Sequence, residues 1–97
     1  MTLMILGEKI EVELLDEVLD NGEPIQGVFH NLEMKIQISR KAQNIRQTLL
    51  HELNHAVFYL IGVTDDQLPE LLQEIFCDTI ARGTDQALSQ LQNLELT

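Results

Sequence analysis

Met34-Lys35-Ile36-Gln37-Ile38 leads, through residues 39–44, into Ile45-Arg46-Gln47-Thr48-Leu49-Leu50-His51-Glu52-Leu53-Asn54-His55-Ala56-Val57-Phe58-Tyr59-Leu60, and between the two stretches the hydrophobic period changes. In the first, Met34, Ile36 and Ile38 alternate with Glu33, Lys35 and Gln37, the pattern of a strand with one face covered. In the second, Ile45, Leu49, Leu53, Ala56, Val57 and Leu60 form one stripe of a helix expected over 42–61, and Gly62 ends it. A half-buried strand next to an amphipathic helix predicts layers, with the helix stripe laid on a sheet.

Outward from this junction the pattern holds. Residues 1–40 read as β-rich: Leu3 and Ile5 alternate with their neighbours, and after Gly7 so do Ile10, Val12 and Leu14. Asp20-Asn21-Gly22-Glu23-Pro24 reads as a loop, and Ile25 to His30 as a third strand. Beyond Gly62, Asp65 or Asp66 is expected to cap a second helical region over 66–94, with Pro69 in its first turn. Its stripe is Leu68, Leu71, Leu72, Ile75, Phe76, Thr79 and Ile80, continuing through Ala87, Leu88 and Leu91. Gly83 is where that region would divide into two helices. Cys77 falls opposite the stripe and is expected to be a half-buried thiol, neither ligand nor nucleophile. The fold class is α+β: one domain over 1–97, with a small antiparallel or mixed sheet packed against two long helices.

Composition narrows the function. The chain has 97 residues, no Trp, one Tyr and three Phe, so its core must be mainly aliphatic and small. Its 6 basic and 16 acidic residues give a formal charge of −10, which disfavours nucleic acid and anionic membrane surfaces. Glu11, Glu13, Asp16, Glu17 and Asp20 lack the glycine turn of a calcium loop and read as a solvated surface. With a single cysteine, no basic leader and no run near ~20 apolar residues, a cytoplasmic protein is expected.

The chemistry is concentrated in His51-Glu52-Leu53-Asn54-His55, an HExxH motif within the predicted helix. Residues four apart lie about 40° apart on a helix and one turn along it, so two imidazoles can grip one ion. On the helical wheel the histidines occupy a face separate from the apolar stripe. Glu52 lies beside them, placed to act as general base on a water. A catalytic zinc site needs a third protein ligand, and no histidine follows His55; Asp65, Asp66, Glu70, Glu74 and Asp78 remain. If the chain reverses after Gly62, the region around Glu74 comes level with the histidines while Asp65 and Asp66 stay in the turn.

HExxH followed by Glu74-Ile75-Phe76-Cys77-Asp78 resembles the gluzincin metallopeptidases, the class that includes thermolysin. The resemblance implies a zincin-like core, one zinc ion per chain and hydrolysis of a polypeptide substrate. It also implies Glu74 as third ligand and Asp78 as the partner that orients a ligating histidine. Most of the chain is also similar to minimal metallopeptidase-like proteins encoded by phages and prophages. Gln73 stands where thermolysin-like enzymes have asparagine, and Cys77 where they have a small hydroxyl residue. The histidine and tyrosine that stabilise the oxyanion in those enzymes have no counterpart after Glu74, where Arg82 alone could serve. Tyr59 and His30 are the candidates to replace them. The strand ending near Ile38 is expected to pair with an extended substrate. A zinc-binding regulatory module that hydrolyses nothing is the alternative function, and a purely structural metal a third, which leaves Glu52 without a role.

Overall fold

Leu6 and Gly7 have φ of 51° and 82°, and this pair of left-handed residues turns the alternating N-terminal segment back on itself. In a computed structural model describing residues 1–64 and 66–93, the strands so joined are β1, Thr2–Ile5, and β2, Glu8–Leu15, paired antiparallel with Ile5 opposite Glu8. The stretch from Asp20 to Pro24, expected as a loop, is instead part of a hairpin. Asn21 and Gly22, with φ of 50° and 80°, join β3 (Val18–Asp20) to β4 (Glu23–Ile25). Pro24 does not prevent this, because a two-stranded ribbon leaves each strand one open edge where a missing amide hydrogen costs little. The expected third strand therefore divides at Gln26, and β5 is Gly27–His30. Met34 adopts φ 51° and ends the β5–β6 turn, so β6 starts at Lys35 and runs to Ser39.

The main sheet has the order β1-β2-β6-β5, with β2 and β6 parallel and the outer pairs antiparallel. The fold is α+β, with a mixed sheet and two helices. Ile10, Ile36, Ile38 and Ala56 form the buried centre, with Phe29, Leu49, Leu53 and Leu60 packed against it. Of the predicted stripe of the first helix, Leu49, Leu53, Ala56 and Leu60 join this core, whereas Val57 is not part of it and Ile45 is 41% exposed. The N-terminal acids pair with cations at the surface: Glu13 with Lys35, Asp16 with Arg40 and Glu17 with Lys41.

Helix α1 spans Ile45–Leu60, starting later than position 42 because Asn44 caps it, its side-chain oxygen accepting the Gln47 amide at 2.9 Å. At the other end Gly62 has φ 81°, and Gly62 and Val63 donate to the Tyr59 and Phe58 carbonyls, the hydrogen-bond pair of a Schellman cap. Helix α2 is one uninterrupted element, Glu70–Asn93. Pro69 precedes it, its carbonyl accepting the Gln73 amide at 3.0 Å. Asp66 sits in the preceding turn and does not cap it, while Asp65 and position 94 lie outside the described residues. Gly83 lowers helix propensity without breaking the helix. No described helix is long and apolar enough to cross a membrane.

The packing face of α2 is not the predicted one. Cys77 and Ala81 are fully buried against α1, whereas Leu71 is 72% exposed and Ile75 and Phe76 are also largely exposed. The reason is the partner. Toward α2, α1 presents Arg46, Asn54 and the histidines, so polar groups of α2 turn inward to meet them. Asn54 Nδ2 donates to the Cys77 carbonyl at 3.2 Å. Arg46 is held by Asp85, and its Nη2 donates to Ser89 Oγ at 2.6 Å.

Gly27 marks the closest approach of β5 to α1. A Cβ there would lie 2.8 Å from Thr48 Cγ2, 3.0 Å from Ile38 Cδ1 and 3.2 Å from the Gln37 carbonyl. Gly27→Ala is expected to destabilise the protein by about 1–3 kcal/mol, as overpacking does, which thermal or urea unfolding will measure.

Candidate metal centre

Helix α1 presents His51 and His55 one turn apart, and the reversal after the Gly62 cap brings Glu74 of α2 between them. Glu74 Oε2 lies 3.1 Å from His51 Nε2, and Oε1 lies 2.7 Å from His55 Nε2. The imidazole rings meet edge to face, centroids 5.0 Å apart. One donor atom from each of the three residues lies within 4.8 Å of the other two. Ligands at ~2.1 Å around a tetrahedral zinc stand roughly 3.4 Å apart, so the His–Glu contacts are near the required spacing. Two imidazoles and a carboxylate suit zinc, with a fourth position left for water.

Asp78 is one turn beyond Glu74. Its Oδ1 is 4.0 Å from His51 Nδ1, the ring nitrogen that does not face Glu74. That is too long for a hydrogen bond but on the correct side to orient the ring. Asp78 also pairs with Arg82 at 3.2 Å.

Glu52 lies where α1 meets β5 and is 8% exposed. Burial and then the nearby negative charge of Glu74 raise its pKa to about 7, while the Phe29 backbone amide, hydrogen-bonded to the carboxylate, opposes the rise. For His55, burial is the largest influence and lowers the pKa, favouring the neutral imidazole that a metal requires. Burial foremost, with Glu74 and Glu52 adding to it, pushes the Cys77 thiol up to about 12. Cys77 is thus a thiol at neutral pH, neither ligand nor nucleophile.

The cluster opens on both sides. A cleft of about 700 Å³ extends from Glu52, His55 and Glu74 past Phe29 and Tyr59 toward Ile25 of the β3–β4 hairpin. A smaller one, about 340 Å³, lies toward His51, Asp78 and Thr48, and Gly27 and Glu52 border both. The strand along these clefts is β5. The expected substrate-pairing strand, β6, is interior, bonded to β2 on one side and β5 on the other, and offers no edge. The Gln26 carbonyl accepts the Ser39 amide at 2.8 Å, which sets the antiparallel alternation. Val28 and His30 thereby bond toward β6, while the backbone groups of Gly27 and Phe29 face the open edge.

Of the two candidates for oxyanion stabilisation, Tyr59 borders the larger cleft, 45% exposed and edge-on to Phe29 at 6.0 Å. His30 does not. It projects from the sheet face away from the helices, paired with Gln37 at 3.0 Å. Three contributors had not been read from the sequence: Gly27, the Phe29 amide and the β3–β4 hairpin. Asn21-Gly22 is a strong hairpin signal that could have revealed the last. Comparison with known proteins finds no matching family model, no matching curated sequence and no matching solved structure.

The raised Glu52 pKa has a stability consequence for the metal-free protein. An acid whose folded pKa exceeds its unfolded value destabilises the fold once both states ionise. That cost is absent below the ordinary glutamate value of 4.5, grows as pH rises and is complete above about 7. In the presence of chelator, Glu52→Gln should therefore be more stable than wild type at pH 8 by a few kcal/mol, on the order of 3. The difference should vanish at pH 4, and urea unfolding at the two pH values will check it.

Proposed function

We propose that this protein binds one zinc ion through His51, His55 and Glu74 and hydrolyses peptide bonds in a polypeptide substrate. The observation that carries the reading is the convergence of these three donors beside a buried glutamate, at a cleft bordered by a free strand edge. Zinc held there would polarise the scissile carbonyl and make a water easier to deprotonate. Glu52 takes the water's proton and returns it to the leaving amine, a role suited to a carboxyl whose pKa lies near neutrality. Asp78 positions His51. The outward backbone of Gly27 and the outward carbonyl of Phe29 pair with an extended substrate, as an edge strand does, while the Phe29 amide stays with Glu52. Tyr59 is the hydroxyl at the rim that serves the oxyanion. Asp20 and Glu70 border the same cleft, which contains no Lys or Arg among its described lining residues, so basic or neutral polypeptides are favoured. A cytoplasmic setting belongs to the same proposal.

The absence of a cation from that lining also favours a second reading, a zinc-binding module that regulates a partner without cleaving it. Metal binding and hydrolysis are therefore tested separately. His51→Ala and His55→Ala should each abolish stoichiometric zinc binding measured by calorimetry. Glu74→Gln should weaken it strongly, Asp78→Asn by about 10–100-fold, and Glu70→Gln hardly at all. Full-strength binding by both histidine variants would sink the metal reading.

Glu52→Gln should keep zinc and lose at least ~100-fold in cleavage of unstructured peptides. Wild-type protein that holds zinc and cleaves nothing in a broad peptide library would leave the regulatory module standing. Equal cleavage by wild type and Glu52→Gln would assign the activity to something other than this site.

A further inference from the structure

Single apolar residues are common on protein surfaces, but a continuous row of them on one helix requires an explanation. Leu71, Leu72, Ile75, Phe76 and Ile80 are each between 42% and 72% exposed. At ~100° per residue Leu72, Ile75, Phe76 and Ile80 lie away from Cys77 and Ala81, together with Thr79, Gly83 and Ala87, and Leu71 is on the adjoining flank. All four acidic residues of α2 lie on the other side: Glu70, Glu74, Asp78 and Asp85. Arg82 falls between Leu71 and Ile75 and Asp78 beside Leu71, so one flank of the apolar face carries a single ion pair, 3.2 Å long.

Gly83 lies at the centre of this face. A Cβ there would meet nothing within 4 Å, so no contact within the chain requires glycine, although glycine is poorly suited to a helix interior. A second backbone passing close by would give that missing side chain a purpose.

We infer that two copies of this chain meet here, α2 packing on α2 of the second copy about a two-fold axis. Charge selects the occupant. A basic partner finds only Asp78 at the edge of this face, already paired with Arg82, despite the formal charge of −10. Two chains of that charge repel one another most where carboxylates are dense, and least here. Area agrees. At about 200 Å² for a fully exposed side chain of this size, the five residues present on the order of 500 Å² of apolar surface. With Thr79, Gly83 and Ala87 added, each copy approaches the ~600–800 Å² that a small specific interface buries per partner. A two-fold contact uses one patch twice, and apolar surface complements itself. The inference is independent of the metal.

The test is the mass of the full chain by sedimentation equilibrium, from low to high micromolar concentration at physiological salt. The expected result is a monomer–dimer equilibrium reaching twice 11.1 kDa. Phe76→Asp and Ile80→Asp should each weaken it by roughly 100-fold or more while circular dichroism stays that of wild type, since both side chains are substantially exposed. Gly83→Ala should raise helix stability yet weaken the dimer, a combination that a free surface would not produce. A wild-type chain that stays monomeric throughout overturns the inference, including the case in which this face instead captures a different protein. A dimer indifferent to Phe76→Asp and Ile80→Asp overturns it too, because such a dimer forms elsewhere.

Discussion

Glu74 can reach both His51 and His55 only because α2 lies close against α1, and that closeness depends on two small side chains. Cys77 and Ala81 are the fully buried residues of α2 among those described, and they fall one turn apart on the line facing α1. Larger residues at either position would push the helices apart and separate the carboxylate from the imidazoles. Polar contacts fasten the seam along its length. Asn54 holds the Cys77 carbonyl, and Arg46 holds Asp85 and Ser89. The approach of the helices and the convergence of the candidate ligands are thus one geometric fact.

Glu52 sets the opposite tendency. A carboxyl at the edge of a small aliphatic core opposes folding when ionised, and its one helpful neighbour is the Phe29 amide. Gly27, two residues earlier on the same strand, permits β5 to come near enough to α1 for that amide to reach it. Strand and helix therefore meet where a protonatable group is both sheltered and exposed to a cleft. Such local disadvantage is what functional sites tend to carry.

The parts of the fold readable in the sequence were those in which a short-range pattern and its covering surface coincide. Ile36 and Ile38 alternate because α1 covers them, and Leu49, Leu53 and Ala56 recur because they cover the sheet. The spacing of His51 and His55 follows from helix geometry, and a reversal after Gly62 brings the region around Glu74 level with them. Periodicity does not say what lies across from a face. For α2 it revealed an apolar stripe but not that α1 would offer a polar surface, so Cys77 is buried and Phe76 is not. The β3–β4 hairpin is hidden because Gly22 and Pro24 both signal a break in regular structure, although Asn21-Gly22 is also a hairpin turn. The free edge of β5 could not be inferred, since strand order is a property of the whole sheet.

The parallel pairing of β2 with β6 divides the molecule into two stretches of mostly local structure. One is the β1–β2 hairpin; the other runs from β5 through β6 and α1 to α2. They are stitched along a single seam, Glu11↔Lys35 to Leu15↔Ser39. Every candidate ligand, the buried Glu52 and the open strand edge belong to the second stretch, and the first supplies Ile10 to the core as a supporting plank. Mutational drift can therefore act on the two with different consequences. Changes in the N-terminal hairpin alter how firmly the platform stands, whereas changes after Gly27 alter what the platform holds.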